Sequence, residues 1–243
     1  MGADLINLQA ESKGRLYRHI ANDLEYPAGV KTQFRDNTAT TTSIAVCPPY
    51  AYTVSKNIVL TKWELSVPAT IRPPIRQKKG PGHPLPPKVR RPRKLFSSKG
   101  NKKKTGDSSY NHHTAAILTV AASDSGKFIA TGGADKRLII WSATDLSPLK
   151  VFHQHRDAVT SLAFRRGTNQ LYSASRDRTI KTWSLDELAY VETLFGHQDE
   201  VVDVTALAKE QCLSVGARDR SARMWKGRSS RSSNYLYQYL LKG

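Results

Sequence analysis

One interval constrains this chain more than any other property: Trp141, Trp183 and Trp225 stand 42 residues apart, twice in succession. Each tryptophan ends an apolar, strand-like run. An aspartate precedes each by six residues (Asp135, Asp177, Asp219) and a histidine precedes each by 28 (His113, His155, His197). Three residue types holding one frame through three units mark a structural repeat. Within one period, four short runs are rich in β-branched and aromatic residues: Ala158 to Phe164, Gln170 to Ser175, Thr179 to Trp183 and Ala189 to Phe195. Gly, Asn and Asp mark the breaks between them, so each period reads as one four-stranded antiparallel unit.

A period of about 40–45 residues with an early His and a late Trp is the pattern of a WD40-type β-propeller blade. Both faces of the runs carry apolar residues, as a sheet sandwiched between two neighbours requires. A weaker unit comes first. Thr53 to Trp63 aligns with Ser173 to Trp183, Asn57 takes the aspartate position, and Thr42 to Val46 supplies the first strand, with no histidine to place. Trp63 to Trp141 spans 78 residues, one period plus 36, which places an insertion between the first two blades. The expected fold is all-β, an incomplete WD40 propeller of about four blades out of seven. The expected organisation is an N-terminal helical segment (1–30), a first blade (31–65), a disordered basic Pro-rich insertion (66–106), blades two to four (107–226) and a non-repeat tail (227–243). The helix rests on Leu16, Ile20 and Leu24, four residues apart, with Tyr17 beside them. The tail shows no further period, so the chain reads as a truncated product whose end blades leave apolar faces uncovered.

His197, Asp219 and nearby Ser214 carry the residue types of a hydrolytic triad. A catalytic set would occur once, whereas this one recurs. In a WD40 blade the histidine bonds the aspartate of the tight turn and a Ser or Thr of the second strand, which also receives the tryptophan indole. Thr131 and Ser173, each four residues before the aspartate, fit that slot. Val215 holds it in the last unit, so that network is expected to be incomplete. The pairs His112–His113 and His153–His155 lack a Cys or carboxylate cluster to complete a metal site. No P-loop, nucleophile elbow or zinc-protease helix occurs. The expectation is no catalytic residue, no metal, no cofactor and no small-molecule substrate.

The net charge is +18, which favours polyanionic partners. Residues 66–106 hold 13 Lys or Arg with no acid, leaving +5 for the rest. The same stretch has eight prolines and one aromatic, Phe96. Such a composition cannot bury enough apolar surface to order itself. Its clusters, Lys88, Arg90, Arg91, Arg93 and Lys94 and then Lys102, Lys103 and Lys104, suit nuclear import or phosphate contact, with a merely solvated linker as the alternative. Any RNA contact there would be electrostatic and blind to sequence. On the exposed turns, Arg165, Arg166, Arg176 and Arg218 are the candidate RNA-binding residues. No apolar run approaches the ~18 residues needed to cross a bilayer, and the acid-containing N-terminus has no secretory pattern. Two isolated cysteines, Cys47 and a core-like Cys212, fit a reducing compartment.

Three strings go beyond a generic repeat: "FRRGTNQLYSASRDR", "VETLFGHQDEV" and "GARDRSARMWK". With the basic insertion after the first Trp, they resemble the WD-repeat, fifty-five-kilodalton subunit family of the U3 small nucleolar ribonucleoprotein, over about residues 12–226. The resemblance implies a nuclear, nucleolar scaffold of the small-subunit processome. It would bind U3 snoRNA, box C/D core proteins and other processome proteins, with no membrane, and would serve pre-18S rRNA processing without being a nuclease. A generic WD40 adaptor (a ubiquitin-ligase substrate receptor or a chromatin reader) is the competing reading. A non-functional truncated product is a third.

Overall fold

The structure is a computed structural model that describes residues 39–65, 92–107, 109–226 and the backbone of 237–240. All of them belong to one compact unit, Phe34–Gly243. The expected N-terminal helix, and Lys88, Arg90 and Arg91, lie outside the described residues.

Four four-stranded sheets are described, each an antiparallel meander. Blade 1 is β1 (Thr41–Cys47), β2 (Tyr50–Ser55), β3 (Val59–Glu64) and β4 (Arg93–Lys99). Blade 2 is β5 (Ile117–Ala122), β6 (Phe128–Gly133), β7 (Leu138–Ser142) and β8 (Pro148–Phe152). Blade 3 is β9 (Val159–Phe164), β10 (Gln170–Ser175), β11 (Thr179–Ser184) and β12 (Ala189–Phe195). Blade 4 is β13 (Val201–Ala206), β14 (Gln211–Gly216), β15 (Ser221–Lys226) and β16 (Tyr237–Leu240). The four runs read in the third period coincide with β9 to β12 to within a residue at each end.

In blades 2 and 3 the second and third strands are largely buried on both faces, and the reason is blade-on-blade packing. Leu60, Val54, Ile117, Ile129, Ile139 and Trp141 form the core between blades 1 and 2. Leu138, Ile140, Val159, Leu171 and Trp183 form the next. Tyr172, Ala174, Ile180, Val201, Cys212 and Trp225 form the third. Each fully buried side chain of this size contributes about 1.5–3 kcal/mol, so these three interfaces carry most of the stability. The first strands of successive blades are also tied directly. Thr42 Oγ1 donates to the Ile117 carbonyl at 2.7 Å, and Thr160 Oγ1 donates to the Val201 carbonyl at 2.6 Å. The sheets therefore stack as an arc of propeller blades with β1, β5, β9 and β13 innermost.

The structure corrects two expectations. The basic insertion does not stay irregular to residue 106. Arg93–Lys99 pairs with β3 from Glu64↔Arg93 to Val59↔Lys99 and completes blade 1. Proline ends at Pro92, and the free edge of β3 offers unpaired backbone groups to the first proline-free stretch after it. A short 3-10 turn, Lys102–Lys104, follows, capped by the Asn101 side chain. The tail is not all outside the pattern: Tyr237–Leu240 pairs with β15 as the fourth strand of blade 4. Its Tyr- and Leu-rich sequence suits an edge strand.

Candidate functional site

The repeated residues meet where the turn between the second and third strands of each blade faces the loop leading into its first strand. In blade 3, His155 Nδ1 donates to Asp177 Oδ2 at 2.9 Å, Ser173 Oγ donates to His155 Nε2 at 2.7 Å, and Trp183 Nε1 donates to Ser173 Oγ at 2.8 Å. Blade 2 repeats this chain with His113, Asp135, Thr131 and Trp141, at 3.0, 2.8 and 2.7 Å. One tautomer, with the proton on Nδ1, satisfies every group in each chain. Among the described residues blade 1 keeps only part of it: Trp63 Nε1 donates to Thr53 Oγ1 at 2.9 Å.

Blade 4, expected to lack its hydroxyl, has one. Ser214, one residue before the expected position, accepts the Trp225 indole at 2.8 Å and donates to His197 Nε2 at 2.7 Å; His197 Nδ1 donates to Asp219 at 2.7 Å. The shift has a plain cause. Leu171 pairs with Phe164 and Trp183, whereas Cys212 pairs with Ala206 and Trp225. One residue has moved from the first turn of the blade to the second. His197, Asp219 and Trp225 keep the 42-residue frame while the serine between His197 and Asp219 does not. Val215 instead faces outward, 37% exposed.

The geometry of Ser214, His197 and Asp219 is that of a nucleophile, base and orienting acid. Its setting is not. Ser214 is wholly buried, its oxygen is occupied by the indole N–H, and the same set stands in blades 2 and 3. The arrangement locks a loop to a turn. The aspartates complete the lock from the other side: Asp177 also accepts from the backbone of Arg156 and Thr179, and Asp135 from that of Thr114 and Arg137. Burial works to raise all three carboxyls, and the histidine bonds together with the turn's other donors outweigh it. Asp135, Asp177 and Asp219 are each held below the usual carboxylate range.

The four candidate arginines do not form one patch. Arg165 and Arg166 lie on the turn between β9 and β10, at one end of the blade, and Arg176 and Arg218 lie on the second turns of blades 3 and 4, at the other end. Arg165 is committed to the Ala208 carbonyl at 3.1 Å and to Gln170 Oε1 at 3.1 Å. Arg176 pairs with Glu200 at 3.3 Å, with both side chains exposed. Arg166 and Arg218 are exposed. Arg93 and Lys94 lie on β4, and Lys102, Lys103 and Lys104 form an exposed basic turn.

Two basic residues that carried no sequence signal are structural. Arg137 is 5% exposed and donates to the carbonyls of Asp107, Tyr110 and His112, which fastens the end of the basic segment to blade 2. Lys62 is buried too. It donates to the Ala143 and Thr144 carbonyls at 2.6 and 3.0 Å and lies 4.1 Å from the Tyr50 ring centre. Burial holds its ammonium below the usual lysine range, with Asp145 opposing. Neither could be singled out beforehand, because their partners are backbone carbonyls distant in sequence. Cys212 is a free thiol in the third core, pushed up to about 12 by burial. Among the described residues no group of three His, Cys, Asp or Glu could hold a metal.

Comparison with known proteins agrees with this architecture. The family model of the WD domain, G-beta repeat, matches residues 106–142, 146–184 and 189–226. Ribosomal RNA-processing protein 9 of Saccharomyces cerevisiae is 35% identical over 191 residues, covering 67% of this chain and 30% of the relative. U3 small nucleolar RNA-interacting protein 2 of Homo sapiens is 36% identical over 165 residues, with the same coverage of each. The chain thus spans about a third of the length of these relatives. Among solved structures, U3-55K is similar with a TM-score of 0.64 and 33% identity, covering 84% of this chain and 53% of that one. The RRP9 WD40 repeats are similar with a TM-score of 0.64 and 34% identity, covering 84% and 52%.

Proposed function

The chain is a WD40-repeat protein with the U3 small nucleolar RNA-interacting proteins among its relatives, and from that premise we propose that it is a non-catalytic scaffold of a U3-type ribonucleoprotein in rRNA processing. Its partners are then U3 snoRNA, box C/D core proteins and other small-subunit processome proteins, and its location is the nucleus and nucleolus. One observation carries the reading: at 35–36% identity the likeness to those proteins spans two thirds of the chain, well past the three matched repeats. The structure offers supporting chemistry. Each of the three His–Asp–Ser/Thr sets described is consumed in holding turns, while exposed cations on the turns, Arg166 and Arg218 among them, stand where an anionic partner could meet them.

The generic adaptor reading predicts different company. Affinity purification of the tagged full chain from crosslinked cells separates the two. Enrichment of U3 snoRNA with box C/D proteins is the expected result. Ubiquitin-ligase subunits or histones recovered without small nucleolar RNA would reverse it.

A further inference from the structure

A cleft of about 600 Å³ opens where the loop entering blade 3, that blade's second turn and the end of β12 meet. Ligand-sized sites occupy about 300–1,000 Å³. Arg156, Arg178, Lys181, Tyr190 and Phe195 line it, over Asp177 and His197. The repeat pattern singles out none of the five.

Their states are unusual for surface residues. Phe195 is 75% exposed, and Tyr190, which lines the same cleft, is 42% exposed. Tyr190 is fixed beside it: its ring meets Trp183 edge-on at 5.6 Å, and its hydroxyl lies 2.7 Å from Thr193 Oγ1. Lys181 donates to the same Thr193 at 2.7 Å and stands 5.5 Å from the Tyr190 ring centre. Arg156 and Arg178 are exposed, and neither guanidinium has an ion pair or hydrogen bond among the described residues. Arg178 stands at a left-handed backbone position of the second turn, φ 67°. The one carboxylate in the lining, Asp177, is already engaged by His155, Thr179 and the Arg156 backbone. Burial holds the Lys181 ammonium below its ordinary range; Asp177 opposes this, and the Arg156 charge adds to it. The cleft thus has surplus positive charge beside aromatic faces.

We infer that this cleft binds one nucleotide unit of single-stranded RNA, its phosphate on Arg156 and Arg178 and its base against Phe195 and Tyr190. Cations that track a backbone, combined with aromatic faces on which bases stack, are the two components of single-strand recognition. An acidic peptide would neutralise the arginines but would leave Phe195 and Tyr190 without a partner. The inference rests on the proposed RNA-scaffold reading and gives it a location in the fold.

Fluorescence anisotropy of the full chain with a labelled single-stranded RNA of roughly ten nucleotides tests it. A matching abasic strand and a salt series are included. The variants are Arg156→Ala with Arg178→Ala, Phe195→Ala, and Thr168→Ala as an uncharged control on the β9–β10 turn at the opposite end of the blade, each with its melting temperature measured. The double variant is expected to bind more weakly and to flatten the log–log salt slope by about 1.4, or about 0.7 for each arginine that no longer neutralises a phosphate. Phe195→Ala is expected to weaken RNA binding about ten-fold or more, keep the salt slope and leave abasic binding unchanged. Thr168→Ala should match the parent. If the parent binds RNA and all variants bind equally, the site is wrong and the scaffold reading stands. If the parent binds no RNA at any salt, both fall. If a phosphoserine peptide competes and Phe195→Ala changes nothing, the cleft is a peptide site and the inference is overturned.

Discussion

Ser214 and Val215 are neighbours on β14 and point to opposite faces, so only one can reach the His197 ring. Ser214→Ala would leave the Trp225 indole and His197 Nε2 both without a partner in a buried site. Unsatisfied buried groups cost about 1–3 kcal/mol each, so a loss of roughly 2–4 kcal/mol is expected. Val215→Ala, on the exposed face, should stay within about 0.5 kcal/mol. Urea unfolding of the two variants measures the difference. Ser173→Ala in blade 3 should behave like Ser214→Ala, since its serine fills the same role. The aspartates give a pH dependence. Their folded values lie below the ordinary aspartate value of 3.8, so their stabilisation is fully present above about pH 4 and is lost as pH falls through the folded values. Asp177→Asn should lower stability at pH 7 and make its acid dependence shallower, read from denaturant midpoints between about pH 2 and 7. At this scale His, Asp and Trp were legible because each bonds within its own blade at a constant sequence distance. Ser214 was not, because two compensating turn lengths move it without disturbing its neighbours. Arg137 and Lys62 were not, because each bonds carbonyls that no residue type announces.

The second turn of all four described blades shares a backbone feature that no single residue type marks. Ile58, Lys136, Arg178 and Arg220, each five residues before its tryptophan, all have positive φ, between 50° and 67°. Left-handed backbone costs a residue with a Cβ about 1 kcal/mol or more, and asparagine bears it best. Lys136 is exposed. Lys136→Asn should therefore raise stability by up to about 1 kcal/mol, measured as a higher melting temperature. The strain was invisible in the sequence, which places Ile, Lys and Arg where glycine or asparagine would signal the turn. The fourth strands of blades 1 and 4 were also missed. Pairing to an open edge depends on a neighbour being present rather than on a period in the strand's own sequence, and β4 and β16 lie at different distances from their tryptophans. Arg137 gives this scale a second test. Arg137→Ala removes three hydrogen bonds to the 107–112 segment. Limited trypsin digestion should then cut after Lys102–Lys104 faster than in the parent while the blades stay intact.

Among the described residues the blades are held by their mutual faces, and the outward faces of blades 1 and 4 carry exposed apolar side chains. Ile44 and Val46 on β1 are 61% and 56% exposed, and Val202 and Val215 on blade 4 are 51% and 37% exposed. Apolar faces beside sheet edges promote association. The pair Ile44→Lys with Val202→Lys should reduce self-association of this chain in sedimentation without lowering its melting temperature by more than a few degrees. Blade number and packing were legible in the 42-residue interval because apolar residues on both faces of a strand demand a sheet on either side. Which of the turn arginines share a surface was not, because Arg165 and Arg166 lie at one end of blade 3 while Arg176 and Arg218 lie at the other end of blades 3 and 4. Folded blades whose basic turns recognise a U3-type RNA must prefer that RNA over an arbitrary one. The most direct measurement is equilibrium binding of the full chain to U3 snoRNA and to a scrambled RNA of equal length at physiological salt. Clearly tighter binding of U3 is predicted, retained as salt rises and the non-specific component fades. Equal affinity for both RNAs at every salt concentration would contradict it.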